Sequence, residues 1–545
     1  LSARGAATRA PGRILFTTSN GTGLGHLTRS MAIARRLGSE LEPLFLTLSA
    51  AAPVVREMGF PVEYVASYAT PGSGNDYRWS RRLRARLRAV IAEAEPAVIV
   101  FDGTHPYEAL LGALPPSAVA VWCRRPLWKA GSSRVPLGRA GAFDAVLEPG
   151  ELAESEDRGP TVALRDRAHR VEPIVLLDRA ELLPRAEAEA ELGLEPGRTN
   201  VLVSLGQGAE VREATRRCLR RLAGRDDVQV AALSSTIAAA EPSNGDLVAH
   251  GATNPPTLGE RAAGLVDLRA TYPMSRYFNA FDAAVAAAGY NAFHELIALG
   301  VPALYVPIHR ETDDQEGRAR HAERAGVGLA IEGPADPRLE AQLDRLLEPG
   351  ERDAIATRLA ALPAPSGAAE AARWLTELAA AATAPAPAGA SVDSGAGEGS
   401  QSTLGAGNRR AGSAREFRRR WGQFFASAPR TVVRLTRQQL TQPRVRTVVL
   451  AVGIADEEIA AAVRAAIAEA GEDPERTLVV TDSLALAPLR ELGVGVEHVP
   501  ARGERQPRLA GGPYEGFLRG RLELILAERA KPRRVVVAPG GAPLP

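Results

Sequence analysis

Three times along this chain a short apolar run stops at small residues and a helical pattern begins. Ile14-Leu15-Phe16 leads into Ser19-Asn20-Gly21-Thr22-Gly23-Leu24-Gly25-His26. Val201-Leu202-Val203 leads into Ser204-Leu205-Gly206-Gln207-Gly208. The run ending at Ala287 leads into Ala288-Gly289-Tyr290-Asn291-Ala292-Phe293-His294-Glu295. Unbroken apolar runs bounded by such turns suit strands buried on both faces, as in a parallel sheet covered by helices. Beyond the carboxyl ends of those strands, unpaired backbone N–H groups and helix N-termini suit a phosphate. Two such loops in separate halves predict a cleft between two domains that holds phosphorylated molecules.

The alternation extends along the chain and predicts an α/β protein: two Rossmann-like parallel-sheet domains plus a smaller C-terminal α/β domain. A disordered N-terminus is expected over 1–12 and the first domain over 13–172. The second runs over 173–382, closed by a helix at Ala368–Ala381. Residues 383–412, rich in Ala, Pro, Gly and Ser, read as a flexible linker. A basic amphipathic segment follows over 413–446, and the last domain, of unassigned role, over 447–545. The three units are alike in kind, with no repeat detectable in sequence.

A length of 545 residues suits three to four domains. The two cysteines, Cys123 and Cys218, form no CxxC or disulfide framework, so a reducing cytoplasm is expected. There is no apolar run long enough to span a bilayer and no secretory pattern near the start. The net charge of +2 names no partner, but its distribution does. Arg409 to Arg446 holds eleven arginines against one acid, Glu416, leaving the rest of the chain near −8. Phe417, Trp421, Phe424 and Phe425 share one helical face there. A basic amphipathic helix with aromatics suits an anionic membrane surface, so peripheral attachment to the inner face of the cell membrane is expected. A helix packing those aromatics on a neighbouring domain would read the same way. No nucleic-acid module is recognisable, and no nucleic-acid partner is expected.

His26, after three glycines at a strand's carboxyl end, is the first choice for a general base, with Asp102 and His105 in reserve. Arg125 lies at another strand end. Ser204 and Gln207 can add hydrogen bonds to backbone donors at the second loop. Glu295, on the first turns of a helix, can accept two ribose hydroxyls, and would equally stabilise the helix N-terminus. Pro307 to Ala319 is dense in hydrogen-bonding groups and suits a polyhydroxylated ligand. Asp313 and Asp314 are adjacent rather than spaced as Asp-x-Asp, so no metal site is expected.

In order and content these segments resemble family 28 glycosyltransferases of the GT-B fold. Gly21-Thr22-Gly23-Leu24-Gly25-His26 is similar to that family's Gly-Gly-Thr-Gly-Gly-His. Tyr272-Pro273-Met274 through Ala288-Gly289 and Glu295-Leu296 resembles its donor half, and Thr312-Asp313-Asp314-Gln315 with Ala319 its sugar-contacting loop. The resemblance covers roughly residues 12–375 and is strongest over 272–330. It implies that Gly23, Gly25 and His26 face the acceptor, where Gly21 and Arg125 are also expected. It places Gly206, Gln207, Gly208, Ala288, Gly289 and Tyr290 near the donor diphosphate, where Ser204 is also expected, Glu295 on the ribose, and Asp314 and Gln315 on the transferred sugar. Two departures bear on the donor sugar. The family's peptidoglycan enzymes carry adjacent glutamines at Asp314-Gln315 and an asparagine at Arg318. The implied activity is transfer of a sugar from a nucleotide-sugar, UDP-linked by the resemblance, to a lipid-linked or small-molecule acceptor hydroxyl, with no cofactor. A sugar-nucleotide 2-epimerase of the same fold and a non-catalytic nucleotide-sugar-binding scaffold are the alternatives.

Overall fold

A computed structural model describes residues 12–19, 24–67, 76–206, 209–232, 265–268, 271–383, 445–504, 513–528 and 532–542. Asn20–Gly23, Gln207, Gly208 and most of the basic segment lie outside the described residues, so the expectations for Gly21, Gly23, Gln207, Gly208 and the amphipathic helix fall there.

The first domain comprises β1 (Gly12–Thr18), α1 (Gly25–Ala34), β2 (Leu41–Thr47), α2 (Ala52–Glu57), β3 (Val62–Tyr64), α3 (Asp76–Ala94), β4 (Val98–Asp102), α4 (Glu108–Leu111), β5 (Val119–Cys123), β6 (Ala145–Glu148) and β7 (His169–Arg170). Its sheet has the order β3-β2-β1-β4-β5-β6-β7, parallel throughout. Strand alternation divides the core between two faces. Ile14 and Phe16 join α1 and α2 on one face, and Leu15 joins Leu83, Leu87 and Ile91 of α3 on the other.

The second domain comprises α5 (Arg185–Leu192), β8 (Thr199–Ser204), α6 (Ala209–Ala223), β9 (Val228–Ala232), β10 (Leu265–Asp267), β11 (Ala283–Ala287), α7 (Tyr290–Leu299), β12 (Ala303–Val306), α8 (Gln315–Ala325), β13 (Leu329–Ala330), α9 (Leu339–Leu347) and α10 (Pro349–Ala360). Its parallel sheet runs β10-β9-β8-β11-β12-β13. Its last helix corrects the sequence reading. α11 (Gly367–Thr383) does not close this domain: Ala368, Ala371, Ala372 and Leu375 pack into the first domain's core. An amphipathic face requires a core but does not say which one.

The third domain comprises β14 (Thr447–Ala451), α12 (Ile459–Ala470), β15 (Thr477–Thr481), α13 (Leu486–Glu491), β16 (Gly495–His498), α14 (Tyr514–Glu528) and β17 (Arg534–Val537). Its parallel sheet has the order β16-β15-β14-β17. Each sheet reverses strand order once, between β1 and β4, β8 and β11, and β14 and β17. Such switch points open crevices at strand carboxyl ends. Among the described residues no helix is long and apolar enough to cross a membrane.

Candidate active site

The β1/β4 switch point holds the candidate base. Thr18 pairs with Asp102 across it, and α1 starts at Gly25 with His26 in its first turn. His26 Nδ1 lies 2.6 Å from Asp102 Oδ1. Arg29, one turn further along α1, donates from Nε to Asp102 Oδ2 at 3.0 Å and from Nη2 to Oδ1 at 2.5 Å. Asp102 and Arg29 are almost fully buried, whereas the His26 side chain keeps 20% of its exposure. Burial alone would raise the Asp102 carboxyl; Arg29 and His26 outweigh it and hold the carboxyl below its ordinary value. Asp102 is therefore an anion, and Nδ1 of His26 carries the proton that it accepts. Arg29 Nη2, 2.9 Å from that nitrogen, is then a second donor held alongside by the shared carboxylate. Nε2 is left with its lone pair. Desolvation lowers the His26 pKa, with Arg29 and Arg125 adding to that against the pull of Asp102. The imidazole is neutral at pH 7 and able to take a proton. Asp102 thus sits where it orients the base rather than where it replaces it. His105 is exposed, and burial, then Arg139, lower its pKa against the pull of Glu311 of the second domain.

The β8/β11 switch point faces this group. Ser204 ends β8, and Gly206 has φ +84 with open space where a Cβ would stand. Ala288 is buried and Gly289 caps α7. The Tyr290 hydroxyl donates to the Gly150 carbonyl at 2.9 Å and accepts from Ile174 N at 3.1 Å. Its ring is approached by Arg29 at 5.2 Å and Arg318 at 5.7 Å, so the two domains meet on one aromatic. Asn291 Nδ2 donates to the Gly25 carbonyl at 3.2 Å, tying α7 to the start of α1. Asn291 Oδ1 and Glu295 Oε1, on one face of α7, are buried without a hydrogen-bond partner. Burial pushes the Glu295 carboxyl up to about 7, against a backbone hydrogen bond at Leu176. Orphaned buried acceptors are costly and rare. Hydroxyl donors of a bound ribose would satisfy them.

The polar loop after β12 is bonded largely to the protein itself. Asp314 caps α8, accepting from Gly317 N at 2.9 Å. Gln315 accepts from Ile308 N at 3.0 Å and donates to Asp313 at 3.3 Å. Asp313 Oδ1 takes Arg125 from the first domain and Arg318 from α8, each at 2.8 Å. Arg125, expected at the acceptor, is therefore an interdomain bridge. Backbone pairing reinforces it: Lys129 N donates to the Thr312 carbonyl at 2.8 Å and Asp314 N to the Leu127 carbonyl at 3.1 Å. Arg318 also binds Glu151 at 2.9 Å, yet its Nη2 remains buried and unpartnered. Arg29, Asn291 and Glu151 were not singled out by the sequence, and Arg318 was noted only as a departure from the family's asparagine. The spacing His26–Arg29, one helical turn, is the signal that could have found the first.

Two Rossmann-like domains whose switch points face each other across a bridged cleft make a GT-B fold. The pattern described as "Glycosyltransferase family 28 C-terminal domain" matches residues 268–372. The UDP-N-acetylglucosamine–N-acetylmuramyl-(pentapeptide) pyrophosphoryl-undecaprenol N-acetylglucosamine transferase of a Nocardioides species is 32% identical over 292 residues, 51% of this chain and 72% of the relative. The enzyme of the same name from Rhodococcus opacus is 27% identical over 381 residues, 65% of this chain and 94% of the relative. Similar solved structures include Acinetobacter baumannii MurG, at 14% identity and TM-score 0.43 over 67% of this chain and 100% of that one. Another is the calicheamicin glycosyltransferase CalG4, at 18% and 0.44 over 69% and 100%. The chain belongs to glycosyltransferase family 28, and is an enzyme that moves a sugar from a nucleotide-sugar to an acceptor hydroxyl.

Proposed function

We propose that the donor is a UDP-sugar, UDP-N-acetylglucosamine by its relatives' names, and the acceptor a polyprenyl-diphosphate-linked saccharide. The observation that carries this reading is the meeting of the two switch points: an oriented neutral His26 on one side, the orphaned acceptors of α7 on the other. The mechanism follows from their chemistry. Glu295 and Asn291 accept ribose hydroxyls. The N-terminus of α6 and the unpartnered Nη2 of Arg318 face growing negative charge on the departing diphosphate. His26 Nε2 removes the acceptor proton as the new glycosidic bond forms, and Asp102 stabilises the imidazolium. The donor enters as a substrate, and the chain needs no resident cofactor in this scheme. The full chain, given UDP-N-acetylglucosamine and a lipid-linked muropeptide, is expected to release UDP and label the lipid. Failure to label any lipid-linked acceptor while UDP-sugar binds would overturn the acceptor assignment.

The Glu295 pKa gives a pH signature. Its carboxylate accepts ribose hydroxyls and its protonated form does so poorly. With a free-enzyme pKa of about 7, donor KM is expected to rise as pH falls through 7, approaching tenfold per unit. Glu295→Gln should raise KM at pH 8 and flatten this slope; an unchanged slope would count against the ribose role.

Peripheral membrane attachment through 409–446 belongs to the same proposal. Flotation with anionic vesicles is expected for the full chain and lost when 409–444 are deleted.

A further inference from the structure

The third domain repeats the first half of the first domain. Both have four parallel strands in one topological order, β3-β2-β1-β4 against β16-β15-β14-β17. The registers superpose: Thr47 pairs with Tyr64 as Thr481 pairs with His498, and Thr18 with Thr47 as Ala451 with Thr481. With that alignment, Arg56 to Val65 and Arg490 to Val499 are identical at six of ten positions, including Arg56/Arg490, Gly59/Gly493 and Glu63/Glu497. Leu83 to Glu93 and Leu518 to Glu528 are identical at six of eleven, including Arg86/Arg521. This corrects the expectation of no detectable repeat.

The two copies meet through these matched residues, and the contacts are reciprocal. Arg86 binds Glu497 at 3.1 Å, and its counterpart Arg521 lies 3.3 Å from Glu63. Arg490 reaches the Tyr64 hydroxyl at 2.5 Å, and its counterpart Arg56 approaches His498, the counterpart of Tyr64, at 3.5 Å. Arg86 also holds Glu63 of its own copy. Equivalent layers lie on equivalent sides: one continuous core joins the α1/α2 face to the α12/α13 face, and α3 packs on α14. Reciprocal contact between like patches is the mark of an isologous, two-fold interface. All four charged members are at least 94% buried, a state tolerable only while they pair with one another. The catalytic elements are not repeated. The position of Asp102 is taken by Ala538, since Leu450 pairs with Val537 where Thr17 pairs with Phe101. α12 starts at Ile459 with no histidine in its first turn.

We infer that residues 446–538 are a non-catalytic internal copy of residues 13–102, and that the face joining them is a self-recognition surface which the chain fills in cis with its own copy. A freed face should therefore accept a second chain. Light scattering on the full chain is expected to give a single-chain mass. Glu497→Arg sets three arginines against Glu63 and Glu93, which also pairs with Arg521 at 2.8 Å, and should release the third domain, leaving the intact Arg86–Glu63 patch to pair with itself, so that the mass doubles with rising concentration. Adding Arg86→Glu to Glu497→Arg restores attraction in cis and makes the first-domain patches repel, so the double variant should return to single-chain mass. Cleavage between residues 384 and 444 followed by gel filtration reads whether the domains separate. Separation without doubling overturns self-recognition. Persistent docking of Glu497→Arg overturns the role of the ionic ring, and a double-mass wild type overturns occupation in cis.

Discussion

Asp102→Asn is expected to lower kcat about a thousandfold or more while leaving donor affinity within about twofold. The carboxylate does two things that an amide cannot do together. One oxygen accepts Nδ1–H of His26, and both oxygens accept from Arg29. An amide directs an N–H either at the Arg29 guanidinium or at the imidazole, and the second choice favours the tautomer in which Nε2 carries the proton. The charge balance shifts as well. Asp102 raises the His26 pKa, whereas burial, Arg29 and Arg125 lower it. Losing the anion makes His26 a weaker base. In the wild type the lowered His26 pKa keeps the base neutral at and above the ordinary histidine value, so kcat, read at saturating donor where the Glu295 effect on donor KM drops out, falls only on the acid side. In Asp102→Asn the remaining activity should carry that acid limb to still lower pH, and His26→Ala should abolish it. UDP release against pH measures the limb, calorimetry the donor affinity, and a melting curve checks that unpaired Arg29 has not unfolded the domain. A folded Asp102→Asn variant within tenfold of wild type would remove His26 and Asp102 from the chemistry.

How far the sequence carried the fold depended on how long each element is. β8 stands at Thr199–Ser204, over the apolar run Val201-Leu202-Val203 that pointed to it. β6, β7 and β13, two to four residues each, were not legible, because so short a run has no period. The partner of α11 was illegible for another reason: its apolar face is local information and the choice of domain is not. At the site, residue types pointed to His26, Asp102 and Glu295, but roles needed distances. Asp102 reads equally as base or orienter until its two partners are seen. Arginine is ordinarily a surface residue, so in an arginine-rich chain nothing marked Arg29, or Arg318 beyond its departure from the family's asparagine, as buried at the site. The duplication escaped notice because the glycine-rich loop, the most distinctive part of the first copy, is the part the second copy lacks.

Arg318 carries the second large effect, on stability. Its side chain is fully buried, bonded to Glu151, Asp313 and the Ala288 carbonyl. It holds the Glu151 carboxyl down to about 2, with His294 helping, against burial, which would raise it. Arg125, then Arg318, does the same for Asp313. Arg318→Ala leaves two buried carboxylates short of a cation, and breaking a buried pair from one side costs about 3–5 kcal/mol. The pH dependence tests the cause. In the wild type both carboxyls have folded pKa values below their unfolded ones, so their contribution is full at neutral pH and lost only as pH falls through the folded values. Without Arg318 those folded values rise, and the carboxyls are penalised most where the unfolded chain is ionised. The stability gap between variant and wild type should therefore be widest near pH 7.5 and narrow as pH approaches 4. Arg318→Met, which keeps much of the volume, should lose nearly as much as Arg318→Ala, because charge rather than packing is what is missing. Urea unfolding at several pH values reads both. A gap under about 1 kcal/mol, or one constant with pH, would mean that Arg125 alone neutralises the cluster.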